Sequence, residues 1–126
     1  MTDEKTIKKI LIVEDEIAIQ NILCDKLAQE GYDVHIASDG DEGLTLALAE
    51  HPDLILLDIL MPKVSGLKML ESLRADIWGK HVHVFVLTNL QQSKEKSAAF
   101  NQHVAKYFDK ADIKLEDLLL AVKTYI

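Results

Sequence analysis

Asp53-Leu54-Ile55-Leu56-Leu57-Asp58-Ile59-Leu60-Met61-Pro62 carries the strongest fold signal in the chain. Leu54 to Leu57 form an unbroken apolar run that ends in a single carboxylate, Asp58. A continuous apolar run bounded by turn residues reads as a strand buried on both faces. His51-Pro52 punctuates its start and Met61-Pro62 its end. Asp58 then stands at the C-terminal tip of a strand, the edge at which open parallel α/β sheets bind ligands.

Working outward, Lys8 to Val13 is a second buried strand, and it runs into Glu14-Asp15-Glu16. Residues 17–30 have helical spacing, with Ile19, Ile22, Leu23 and Leu27 on one side and Gly31 as a stop. Tyr32 to Ala37 alternates as an edge strand. Ser38 or Asp39 caps a helix running to Glu50, with Asp39 and Glu42 at capping-box spacing and Leu44, Ala47 and Leu48 inward. After the central strand (53–58) comes a helix over 65–76, with Leu67, Leu70 and Leu73 inward. Residues 77–80 form a connector in which Trp78 is a packing anchor. His81 to Leu87 is a fourth strand, on which His81 and His83 share a face as half-exposed residues with no third ligand for a metal. A polar helix follows over 91–101, then a fifth strand over 104–108. Asp112 caps a last helix over 113–125, with Leu115, Leu118, Leu119 and Val122 inward and Ile113 and Leu120 off the stripe.

Five strand–helix alternations imply one α/β domain, a parallel sheet covered by helices on both faces. The 126 residues suffice for a single core. No apolar run approaches the ~20 residues of a membrane span, and the polar start shows no secretory signal. Cys24 is the only cysteine, which excludes an internal disulfide and fits a reducing, cytoplasmic setting. Net charge is −7, against direct nucleic-acid binding. Residues 1–79 carry 7 basic and 16 acidic side chains, net −9; residues 80–126 carry 7 basic and 5 acidic, net +2.

The tips of these strands collect Glu14, Asp15 and Glu16, then Asp58, Thr88 and Lys110. Clustered carboxylates stay ionised only when a cation joins them. Hard oxygen ligands without His or Cys select Mg²⁺ over Zn²⁺. A hydroxyl and an ammonium suit the oxygens of a transferred phosphoryl group. Asp58, alone on the central strand, is the candidate nucleophile. Glu16 reads as a helix-start acid favoured by the macrodipole.

Taken together, Glu14-Asp15, Asp58-x-x-Met61-Pro62-x-x-x-Gly66, Leu87-Thr88 and Tyr107-x-x-Lys110 give a chain that resembles, over nearly its whole length, the receiver (response-regulator) domain of two-component signalling. The resemblance implies a flavodoxin-like (βα)5 three-layer sandwich with strand order 2-1-3-4-5, for which a chemotaxis receiver is an example. It implies a receiver domain over 1–126, with a polar tail at 1–7 and no output domain present. The implied function is a switch, not an enzyme beyond its own phosphoryl transfer and dephosphorylation. Asp58 is implied as phosphoacceptor. Glu14, Asp15, Asp58 and the backbone carbonyl of Leu60 are implied as Mg²⁺ ligands. Thr88 and Lys110 would sense the phosphoryl group, and Tyr107 would be the switch aromatic. The implied donor is a histidine kinase or histidine phosphotransfer protein. The fourth-helix, fifth-strand, fifth-helix face would serve output, including a homodimer.

Three positions depart from the family pattern. Ala111 stands where proline, with a cis bond, usually follows the lysine. Asn89 replaces a small residue after Thr88. Asn101-Gln102-His103 lacks the usual glycine, so Asn101 is expected to take the left-handed role. Leu60 and Leu90 are expected at the mouth of the site, excluding water and slowing self-hydrolysis. The alternative function is a receiver-like interaction module that is not phosphorylated. A haloacid-dehalogenase-type phosphatase would need an acid where Leu60 stands, and a flavin carrier would need a phosphate-binding loop where Glu14-Asp15-Glu16 stands.

Overall fold

The structure is a computed structural model that describes residues 6–59, 61, 65–89 and 102–126. Five strands form one parallel sheet: β1 (Lys9–Val13), β2 (Asp33–Ala37), β3 (Leu54–Asp58), β4 (His83–Thr88) and β5 (Lys106–Asp109), in the order β2-β1-β3-β4-β5. The described helices are α1 (Ile17–Gln29), α2 (Gly40–Glu50), α3 (Gly66–Ala75) and α4 (Leu115–Tyr125). The helix expected over 91–101 and the left-handed role of Asn101 lie outside the described residues. No described helix is long and apolar enough to cross a membrane.

β3 is central because Leu54 to Leu57 have no polar face to offer solvent, and all five of its residues are buried. On one face of the sheet, Leu11, Val13, Ile55 and Leu57 pack with Ala47 of α2 and Met69, Leu70 and Leu73 of α3. On the other, Ile10, Ile12, Leu54, Leu56 and Phe85 pack with Leu23 and Leu27 of α1 and Leu118 and Val122 of α4. The result is the expected three-layer sandwich.

Helix caps explain the element starts. Asp39 accepts from Glu42 N at 2.8 Å and Ser65 from Lys68 N at 3.2 Å. The return arm of the first cap lands on Ser38, whose N–H donates to Glu42 Oε1. Asp112 caps nothing. It lies in a 3₁₀ turn (Lys110–Asp112) capped by Asp109, and α4 begins after Lys114. Two inward assignments are corrected. Ile22 is 52% and Leu48 is 38% exposed, because the buried lines are Gln20-Leu23-Leu27 on α1 and Gly40-Gly43-Ala47 on α2. Small residues let α2 lie close; a Cβ on Gly43 would stand 2.9 Å from Val13 Cγ2. Trp78 stacks on His51 with centroids 4.3 Å apart, which bears out its packing role. His81 precedes β4, and His83 opens it with its ring edge-on to Tyr125.

Candidate phosphoryl-transfer site

Strand register assembles the site. β1 and β3 pair Val13 with Leu57, so Glu14 follows β1 just where Asp58 ends β3. β3 and β4 pair Asp58 with Leu87, which puts Thr88 one step further along the neighbouring strand. β4 and β5 pair Thr88 with Asp109, and Lys110 is the next residue. All of these groups therefore lie at the C-terminal edge of the sheet.

Lys110 closes the cluster. Its Nζ donates to Asp58 Oδ2 at 2.9 Å, to Glu14 Oε2 at 3.1 Å and to Glu16 Oε1 at 2.6 Å. Asp58 and Glu14 are both fully buried. One carboxylate oxygen each from Glu14, Asp15 and Asp58 lies within 4.8 Å of the others. Glu14 Oε2 also accepts from the N–H of Glu16, in the turn that precedes α1. A cavity of about 330 Å³ opens on the cluster, lined by Glu16, Ile19, Asp58, Asn89, Lys110 and Ala111.

Burial pushes the Glu14 carboxyl up to about 7; the Glu16 N–H opposes it, the charge of Asp58 adds to it, and Lys110 opposes it. Burial also weakens the Lys110 ammonium, but its bonds to Glu16, Asp58 and Glu14 outweigh that and hold it above the usual lysine range. Among the described residues, two buried side-chain oxygens have no hydrogen-bond partner, Glu14 Oε1 and Thr88 Oγ1. A buried carboxylate oxygen without a donor is costly unless a cation or proton meets it. The donor set is all hard oxygen. These residues fit a hard divalent cation, a class that includes Mg²⁺.

Of the residues singled out in the sequence, Glu14, Asp15, Asp58 and Lys110 come together, Thr88 lies alongside, and Asn89 lines the cavity. Tyr107 is half-buried on β5, packed against the α2–α3 side of the core, and burial raises its phenol. Leu60 and Leu90 lie outside the described residues. The Lys110–Ala111 bond is trans, since no described peptide bond is cis. The Ala111 N–H, which proline would lack, donates to Asp109 Oδ1 at 3.0 Å. His103, not a glycine, holds a left-handed backbone before β5, with φ 59°.

Three participants escape a sequence reading. Glu16 is a direct partner of Lys110, not merely a helix-start acid. Gln20 is buried on α1 and donates to the Glu14 carbonyl and to Ser38 Oγ, tying β1's exit to β2's. Its signal is its place in line with Leu23 and Leu27. Arg74 on α3 is the third, donating to the carbonyls of Gly79, Val82, Gln102 and His103.

The family model for the response regulator receiver domain matches residues 10–123. The chain belongs to that family. This receiver domain is 36% identical over 118 residues to a DNA-binding dual master transcriptional regulator, RpaA, of Synechocystis, covering 94% of the chain and 48% of the relative. It thus spans about half the length of that curated relative. Among solved structures, a chemotaxis response regulator of Vibrio cholerae superposes with a TM-score of 0.86 at 27% identity, over 96% of this chain and all of that one. The response regulator TrrA of Thermotoga maritima, solved with Mg²⁺ and beryllofluoride, superposes with a TM-score of 0.81 at 31% identity, over 95% of this chain and all of that one. Receiver domains of two-component systems are signalling switches, and this one has their fold, strand order and acidic pocket.

Proposed function

We propose that this receiver accepts a phosphoryl group on Asp58 from a phosphohistidine of a kinase or phosphotransfer protein, and that the aspartyl phosphate switches an output. A carboxylate oxygen of Asp58 attacks phosphorus, the P–N bond breaks, and the imidazole leaves with the bonding pair. The carboxylates of Glu14, Asp15 and Asp58 and the carbonyl of Leu60 would hold Mg²⁺, which neutralises charge on the nucleophile and the phosphoryl oxygens. Lys110, released from part of its carboxylate cluster, binds one phosphoryl oxygen, and the Thr88 hydroxyl donates to another. Movement of Thr88 draws Tyr107 inward, changing the face that includes β5 and α4. Leu120 on α4 is 69% exposed and would belong to that output surface, whether the partner is an attached domain or a second copy.

The observation that carries this reading is the contact of Lys110 with fully buried Asp58, beside an unpartnered oxygen of Glu14 and an unpartnered hydroxyl of Thr88. The test is beryllofluoride with Mg²⁺, followed by backbone NMR. Saturable shifts at Thr88, Tyr107 and Lys110 in the wild type and none in Asp58→Ala are expected. Absence of an Asp58-dependent response favours the non-phosphorylated interaction module.

A further inference from the structure

The opposite edge of the sheet, where β4 and β5 begin, carries a second cavity. It encloses about 470 Å³ and is lined by Arg74, Lys80, His81, His83 and His103, together with aliphatic neighbours. No acid stands among its described lining residues. It lies a six-residue strand away from Thr88, roughly 17–20 Å.

Arg74 is the floor of this feature. Only 9% exposed, it donates Nε to Gln102 O at 2.7 Å, Nη1 to Gly79 O at 2.8 Å and Val82 O at 2.7 Å, and Nη2 to His103 O at 3.1 Å. Every acceptor among the described residues is a neutral carbonyl. The nearest acid in sequence, Asp76, gives Oδ2 to the N–H groups of Trp78 and Gly79. A buried guanidinium held by carbonyl dipoles alone is hydrogen-bonded but not neutralised. Four of its five N–H groups are committed to described acceptors, which leaves one on Nη2. Around it stand one lysine and three imidazoles, in the half of the chain that is net positive while the whole is −7.

A metal does not account for the imidazoles. Among the described residues, the only group of three that brings potential ligand atoms within 4.8 Å of one another is the acidic cluster at the far edge. We propose that this cavity is a binding site for a small oxyanion of the phosphate class, which the buried guanidinium, Lys80 and the histidines would hold jointly. An oxyanion accepts several N–H donors at once and supplies the charge that Arg74 lacks.

The test is titration of the whole chain with inorganic phosphate, with sodium chloride at matched ionic strength, following histidine ring and arginine Nε resonances by NMR. Saturable shifts at His81, His83, His103 and Arg74 Nε, retained in Asp58→Ala and absent with chloride, are the expected result; His35 serves as internal reference. Sulfate is expected to reproduce them. Lys80→Gln and His103→Asn, the latter keeping a residue that tolerates the left-handed backbone, should each weaken phosphate by roughly tenfold. Shifts that match chloride, that vanish with Asp58→Ala, or that keep their midpoint in both variants would overturn the proposal.

Discussion

Lys110 Nζ and Asp58 Oδ2 meet at 2.9 Å across 52 positions of sequence. The same ammonium is the only described cation bonded to Glu14, so one lysine offsets two fully buried carboxylates. Lys110→Met leaves that pair uncompensated. The variant is expected to lose roughly 3 kcal/mol without divalent metal, measured by urea unfolding. Millimolar Mg²⁺ should restore more stability to it than to the wild type, because ligand binding to the folded state adds stability by mass action. An unchanged midpoint would show that the cluster is not under electrostatic strain.

Glu14 sets a pH dependence. Its carboxyl is raised from the ordinary value of 4.5 to about 7 in the fold, chiefly by burial. Between those values the folded state binds the proton and the unfolded state does not, so stability falls as pH rises through this window. Lys110 is raised at the alkaline end, so its contribution is constant across the Glu14 window and is lost only as pH climbs past the lysine range. Metal-free protein should therefore show a falling melting temperature from about pH 5 to 7, and Glu14→Gln should flatten that slope. Affinity for Mg²⁺ should rise over the same window, since the cation needs the ionised carboxylate. A slope that survives Glu14→Gln would assign the effect elsewhere.

Gly66 brings α3 against the tip of β3. A Cβ there would fall 2.1 Å from the Asp58 carbonyl oxygen and 2.7 Å from Ile59 Cα, both backbone positions that cannot rotate away. Gly66→Ala is expected to cost about 3 kcal/mol and to displace the Asp58 tip. Chemical denaturation measures the first effect, and amide shifts at Asp58 and Ile59 the second. A stability equal to wild type would mean that α3 approaches less closely than 2.1 Å implies.

The strands and their order are legible in the sequence because Leu54 to Leu57 and Ile10 to Val13 leave no polar face, so each needs cover on both sides. Once those strands are parallel, Glu14 and Asp58 adjoin by register. Helix faces are less legible. Counting hydrophobes places Ile22 and Leu48 inward, whereas close packing selects Gln20 and Gly43, which carry no hydrophobic signal. The bonding roles of Glu16 and Arg74 are hidden for another reason: their partners lie 94 and 5 to 29 positions away and follow no local period. Asp112 is misplaced as a cap because a 3₁₀ turn over Lys110–Asp112, capped by Asp109, intervenes between β5 and α4.

Ala111 replaces the usual proline without a cis bond, and its N–H is used by Asp109. Ala111→Pro deletes that bond and disfavours the helical backbone of the preceding Lys110. The variant should lose about 1 kcal/mol and change its rate of phosphorylation by small-molecule donors. If both stability and rate are unchanged, the turn at Lys110–Asp112 does not position the lysine.

The central claim is that Asp58 is the nucleophile. Acetyl phosphate with Mg²⁺, followed by intact-protein mass and peptide mapping, addresses it directly. The wild type should gain one phosphoryl group, located on Asp58, dependent on Mg²⁺ and absent in Asp58→Ala. A wild-type chain that stays unmodified, or an Asp58→Ala chain that gains the group equally well, would contradict it.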